Sequence, residues 1–216
     1  ICPLPRFSLM YEPSEQLTFR LGGGLGYKTP TVFSEDAERR QFQNILPINP
    51  DVLEAERSYG GNFDINYRWA ITDELNLSSN VLLFYTQIQD PLVLSPIFVN
   101  FEYVQPSGYV DTRGVEVNLK WSFRDLKLFV GYTHANVLEH YNDEVTTFPL
   151  VAEHRFNNVL MYEKHGNFWI GLEAYYFSPQ LLSDGTTGQS YWITGLMTEK
   201  KFGRYISLFL NFQNFL

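Results

Sequence analysis

Apolar and polar side chains alternate along this chain in runs of about ten residues, and the connections between runs are short and long in strict succession. Leu17, Phe19, Leu21, Leu25 and Tyr27 share one parity, with Thr18, Arg20, Gly22, Gly24, Gly26 and Lys28 on the other. Phe63, Ile65, Tyr67 and Trp69 oppose Asn62, Asp64, Asn66 and Arg68. Val115, Val117, Leu119, Trp121 and Phe123 oppose Gly114, Glu116, Asn118, Lys120 and Ser122. Near the end, Ile206, Leu208, Leu210 and Phe212 alternate with Ser207, Phe209, Asn211 and Gln213. Successive side chains of a strand point to opposite faces, so these are two-faced strands. Less regular segments at 4–11, 75–88, 126–138, 156–163, 168–177 and 191–201 bring the expected number to about ten. Short connections fall at Pro13-Ser14-Glu15, Thr72-Asp73-Glu74, Arg124-Asp125, His165-Gly166-Asn167 and Phe202-Gly203-Arg204; long ones cover 29–53, 90–107, 140–153 and 178–190. Long antiparallel strands with turns at one end and loops at the other describe a transmembrane β-barrel, whereas a soluble sandwich has shorter strands and no such asymmetry.

Aromatic residues supply an independent argument. They make up 17% of the chain, and many flank the short turns: Tyr11 and Phe19, Tyr67 and Trp69, Trp121 and Phe123, Tyr162, Phe168 and Trp169, Phe202 and Tyr205. Rings of this kind favour the membrane–water interface, so the set reads as a girdle at the turn end. A net charge of −8 leaves no basic surplus for nucleic acid. The hydrophobic fraction of 44% is too high for a disordered chain. No apolar run reaches the roughly 18 residues of a membrane helix. Cys2 is the single cysteine, which excludes a disulfide framework and reads as a free surface thiol.

Short turns of such barrels face the periplasm and long loops the exterior. The first strand then runs down into the turn at Pro13, and the last runs up towards Leu216. Both ends of the chain fall on the outer side, so the expected object is an internal piece of a larger barrel.

Several segments, in order, resemble the C-terminal half of a TonB-dependent outer-membrane receptor. Gly26-Tyr27-Lys28-Thr29-Pro30-Thr31 resembles the family's stretch at the top of a barrel strand. Asn49 to Glu56 (NPDVLEAE) resembles its N-P-[ND]-L-x-P-E box, with Ala55 in place of the usual proline. Ser58 to Tyr67 fills the strand that follows, Asp111 to Val117 (DTRGVEV) resembles its G-[VI]-E strand, and Leu208 to Leu216 (LFLNFQNFL) resembles its N-L-F box. The resemblance covers nearly all of the chain. It implies a 22-stranded barrel with a plug domain, of which residues 1–216 would be a partial barrel without plug, first strands or last strands. It also implies an outer-membrane location in a Gram-negative bacterium, and active import of a scarce nutrient energised by TonB acting through the plug.

With the aromatic parity towards lipid, Arg20, Lys28, Asp64, Asn66, Arg68, Glu116, Asn118 and Lys120 are expected to face the lumen. The Gly22-Gly23-Gly24 run is expected to mark a bulge or a close approach. Candidate ligand-binding groups are Tyr27 and Lys28 at a strand top, Arg39, Arg40 and Phe42 in the first long loop, Phe101, Tyr103 and Tyr109 in or beside the second, and His140 and His154 flanking the third. Rings stack on flat chelate faces and arginines pair with carboxylates, which suits a ferric siderophore. Cobalamin and haem are the alternatives within the family. Haem receptors of the family carry a histidine between the two boxes, and residues 31–48 have none; His140 and His154 converging across the third loop would be the axial candidates.

No resident cofactor, metal site or catalytic residue is expected. The histidines lack metalloprotease spacing, and His165 reads as a solvated turn residue. No nucleophile motif is present. A barrel enzyme using Asp143, His140 and His154 at the rim, or a passive porin, remains the competing class. The sequon at Asn76-Leu77-Ser78 falls in a strand beside a periplasmic turn and is set aside.

Overall fold

The computed structural model of the protein describes residues 3–164 and 166–215; Cys2 and His165 lie outside the described residues. Ten long strands form one antiparallel sheet: β1 (Arg6–Ser14), β2 (Leu17–Lys28), β3 (Glu56–Ala70), β4 (Leu75–Gln89), β7 (Gly108–Phe123), β8 (Leu126–Tyr141), β10 (His154–Lys164), β11 (Phe168–Phe177), β12 (Tyr191–Phe202) and β13 (Ile206–Gln213). Each pairs with the next in this order, the pattern of an up-and-down barrel wall, and the described sheet does not close on itself. The long connections hold further structure: α1 (Glu35–Arg39) in the first, the hairpin β5 (Val93–Ile97) and β6 (Asn100–Val104) in the second, and β9 (Glu144–Thr147), which pairs with β8, in the third.

The turns follow from local chemistry. Arg124-Asp125 is a two-residue link with Arg124 left-handed at φ 52°, closed by the Phe123–Leu126 pair. Gly203, at φ 74°, serves the link between β12 and β13. Thr72 closes its own turn by accepting from the Leu75 amide at 3.0 Å. The first turn is displaced from its expected place. Strand β1 continues through Pro13 to Ser14, with a register shift between Tyr11 and Ser14. Proline lacks an N–H and is tolerated at such a shift on an edge strand.

Register fixes the two faces. Leu21, Phe63, Leu83 and Val115 lie in one cross-strand row, and Ile65, Val81 and Val117 in the next. This apolar face lies open: Leu9 is 64% exposed, Trp69 50% and Leu83 50%. Among the described residues no large side chain is fully buried. A wall with one bare apolar face gains its burial free energy, about 25 cal/mol per Å², only from an apolar surrounding, and hydrocarbon is the one that fits. Among the described residues no helix is long and apolar enough to cross a membrane.

The opposite face carries Arg20, Asp64, Glu116, Asn118 and Lys120 together, as the alternation predicts. It is satisfied across strands. Arg20 lies 4.0 Å from the buried Asp64, Asn66 donates to Asp64, Asn80 donates to Asn66 at 3.0 Å, and Lys127 meets Glu163 at 2.5 Å. A shallow polar depression of about 390 Å³ is lined by Arg20, Asp64, Asn66 and Arg68 on this face.

Two sequence expectations are corrected. The Gly22–Gly24 run is no bulge: its ladders to β1 and β3 are unbroken, and Gly23 and Gly24 pair with Gly61 and Gly60. Close approach, the other expected alternative, is what the run marks, since a Cβ on Gly23 would stand 3.2 Å from the Gly60 carbonyl oxygen. Trp169 does not belong to the outward girdle. It pairs with Glu163 and Glu199, on the polar parity, and donates its indole N–H to Glu199 at 2.9 Å.

Candidate ligand-binding site

Strands β7 and β8 have 16 residues each. At about 3.3 Å per residue and a tilt near 40°, they rise roughly 40 Å, past an apolar band of about 25 Å. Their upper ends and the long connections therefore stand in water above the membrane, and the candidate site is built there.

Its foundation is α1. Ser34 caps the helix, its hydroxyl accepting from the Ala37 amide at 3.3 Å. The Tyr103 hydroxyl of β6 lies 2.9 Å from Ser34 Oγ and donates to the Val32 carbonyl at 2.9 Å. Tyr103 is buried, so the hairpin of the second connection locks the first. Backbone contacts reinforce the lock: the Phe101 amide donates to Asn44 at 2.7 Å and the Leu46 amide to Phe101 at 2.8 Å. Gln105 exchanges hydrogen bonds with the Glu54 backbone, 2.7 Å each way. The fourth connection joins through Arg39, whose Nη1 donates to Ser183 Oγ at 2.8 Å while Nη2 lies 3.6 Å from Asp36.

On this frame the Arg40 guanidinium lies over the Phe101 ring, 3.6 Å from its centroid. Such stacking fixes the charge and leaves its N–H edge free to meet an anion. Phe42, left-handed at φ 57°, sets its ring edge-on to Phe33 at 5.8 Å. Lys28, at the top of β2 on the polar face, pairs with Glu56 at 3.2 Å.

The structure thus brings Arg39, Arg40, Phe42, Phe101 and Tyr103 into one platform of joined loops. Lys28 stands lower, on the polar wall, and the other four candidates stand elsewhere. Tyr27 takes the outward parity of β2 and is half exposed. Tyr109 and His140 face outward on β7 and β8, stacked at 4.3 Å, with His140 Nε2 2.6 Å from Asp111. His154 also faces outward, opposite His134. His140 and His154 do not converge: β8 pairs His154 with His134, six residues below His140, about 20 Å along the strand.

Around the upper rim, burial next to acidic neighbours shifts two polar-face groups. Glu139 is pushed above the usual carboxylate range, by desolvation and by the charge of Asp36, against a hydrogen bond from Thr146. Tyr141 is pushed up by burial and by Glu139 and Glu56. Sequence reasoning missed Ser34, Ser183 and Glu139. Only Ser34 had a local signal, a capping residue ahead of the acidic Glu35-Asp36 pair.

A family model described as TonB dependent receptor-like, beta-barrel, matches residues 3–215. Comparison with the curated proteins finds no match. Among solved structures, the chain resembles the FrpB iron transporter from Neisseria meningitidis, at 18% identity and a TM-score of 0.66, over 92% of this chain and 32% of that one. It resembles the siderophore receptor PirA from Acinetobacter baumannii at 16% identity and a TM-score of 0.71, over 98% and 36%. The copper transporter OprC aligns at 14% identity and a TM-score of 0.70, over 97% and 32%. The chain spans about a third of the length of these structures.

Proposed function

The chain belongs to the TonB-dependent receptor β-barrel family, and from that premise we propose that it is part of the barrel wall of an outer-membrane receptor that takes up a ferric siderophore under energy delivered by TonB. Members of this family are transporters, so a barrel enzyme with Asp143, His140 and His154 at the rim is set aside. The solved relatives carry iron, a siderophore and copper by their own descriptions, at identities that speak only for fold, so the ligand argument rests on this chain's own side chains.

The observation that carries it is the Arg40–Phe101 stack on loops joined through Tyr103. A fixed cation beside aromatic faces suits a large, flat, anionic chelate: the guanidinium pairs with its oxygens while Phe101 and Phe42 offer ring surface. Arg39 adds a second cation to the loops, while Lys28, lower on the polar wall, is paired with Glu56. Haem and cobalamin receive less support, since His140 and His154 stand apart on the outward face. A porin has no use for such a platform.

The test is equilibrium binding of a siderophore panel, haem and cobalamin to the intact receptor in detergent, with Arg40→Ala and Phe101→Ala beside wild type. Losing a charge-assisted contact or a stacked ring costs about 1 to 3 kcal/mol, roughly ten- to a hundredfold in affinity. Tight haem or cobalamin binding without siderophore binding removes the iron-chelate proposal.

A further inference from the structure

Two histidines face each other on the outward side of the wall. His134 of β8 and His154 of β10 are direct cross-strand partners, their rings stacked with centroids 4.9 Å apart and an angle of 21°. Glu153, the residue before β10, places Oε1 3.7 Å from His134 Nδ1. Its backbone is held in turn, because the Ala135 amide donates to the Glu153 carbonyl at 2.9 Å. One donor atom from each of the three residues lies within 4.8 Å of the others.

Each partner is prepared for ligation. His134 Nδ1 is shielded from water and has no hydrogen-bond partner, an arrangement that costs free energy in a neutral ring. His154 Nδ1 is engaged by the Tyr132 hydroxyl at 2.9 Å. That contact orients the imidazole and directs Nε2 outward, as supporting hydrogen bonds do for metal-binding histidines. Tetrahedral ligands about 2.0 to 2.1 Å from zinc are roughly 3.4 Å apart. Closing from 4.8 Å takes about 1.4 Å, within reach of side-chain rotation on a fixed backbone.

Position places the cluster at the upper edge of the apolar band. One row nearer the turns, Tyr132, Phe156, Tyr176 and Trp192 make a continuous aromatic band, with ring distances of 4.8, 6.0 and 5.1 Å. Aromatic bands mark the membrane interface. The histidine row lies two residues towards the loops, and both His134 and Glu153 are partly exposed.

We propose that His134, His154 and Glu153 bind a divalent transition cation of the zinc or copper class on the outer surface of the wall. Two imidazoles and one carboxylate are borderline ligands suited to these ions and poorly suited to calcium or magnesium. His134 and His154 stand at the two feet of the excursion that carries β9 and the third loop. A bound ion therefore pins β8 to β10 at the base of that excursion, and stabilises it by linkage that grows with the logarithm of ion concentration.

Cobalt(II) is the probe, because its visible absorption reports nitrogen and oxygen ligation directly. The intact receptor in detergent is titrated with Co²⁺ and then back-titrated with Zn²⁺, alongside His134→Gln, Glu153→Gln and His140→Gln. A band displaced by Zn²⁺, weakened at least tenfold in affinity by His134→Gln and by Glu153→Gln and unchanged by His140→Gln, is the expected result. Glu153 lies outside the strands, so its variant keeps the test valid if His134→Gln fails to assemble. Equal Co²⁺ affinity in wild type and Glu153→Gln, or no Co²⁺ band at all, overturns the proposal.

Discussion

The Tyr103 hydroxyl sits 2.9 Å from Ser34 Oγ, joining the second long loop to the capping residue of a helix in the first, 69 positions away in sequence. Ser34 meanwhile caps α1 through the Ala37 amide, so one hydroxyl serves two purposes. Tyr103→Phe removes the contacts to both Ser34 and the Val32 carbonyl but spares the cap; Ser34→Ala removes the cap and the Ser34 contact but leaves Tyr103 on Val32. Expected losses are about 1 kcal/mol for the phenolic hydrogen bond and about 1 more for the cap. Hydrogen exchange over 34–46 in detergent should show faster opening in each single variant and faster still in the double variant, by less than the sum because the Ser34–Tyr103 contact is counted in both. Additive effects would separate the two roles.

The close packing of Gly60 in β3 against β4 makes a second prediction. A Cβ on Gly60 would lie 2.8 Å from both the Tyr85 carbonyl oxygen and Thr86 Oγ1. The threonine can rotate away; the backbone oxygen cannot. Gly60→Val should cost on the order of 1 to 3 kcal/mol by overpacking. The expected readout is a smaller fraction of receptor in the compact, heat-modifiable form on gels of unboiled membranes. Gly166→Ser, in a turn where nothing lies within 4 Å of an added Cβ, should assemble better than Gly60→Val despite its left-handed φ of 73°.

The faces of β2, β3 and the lower half of β7 were readable because lipid touches one side and a polar interior the other, so the two-residue period is enforced. Higher up the same strands that constraint ends. At the top of β7, outward Asp111 and inward Val110 are both buried, so polarity no longer tells the faces apart. Tyr109, His140 and His154 were expected in or beside the loops, whereas the strands continue through them and register turns all three outward. Trp169 failed differently, because Phe168-Trp169-Ile170 is apolar throughout and only register assigns the faces. The helix and hairpin in the loops depend on distant contacts such as Phe101 with Asn44, which no local pattern announces.

Topology is open to direct labelling. Single cysteines in a Cys2→Ser background, at Asp73, Asp125 and Gly166 for the turns and at Glu38 and Phe98 for the loops, are exposed to an impermeant maleimide on whole cells. Phe98 is fully exposed at the tip of the β5–β6 hairpin and should react fastest. Labelling at Asp125 with none at Phe98 would reverse the orientation.

Glu139 gives the pH prediction. Its carboxyl is raised, chiefly by desolvation and further by Asp36, so the folded rim holds the proton more tightly than the unfolded chain does. The sign follows from linkage: the contribution to stability is fully present below the ordinary carboxylate value of about 4.5 and is lost as pH rises through the higher folded-state value. At neutral pH the ionised group opposes the rim it sits in. Glu139→Gln keeps a hydrogen-bonding partner for Thr146, 3.3 Å away, and removes the charge. The variant should therefore protect the backbone of β9 against hydrogen exchange better than wild type at pH 7, and the difference should narrow as the pH falls towards 4.5. A variant less protected at pH 7 would mean that Thr146 holds the carboxylate more strongly than burial disfavours it.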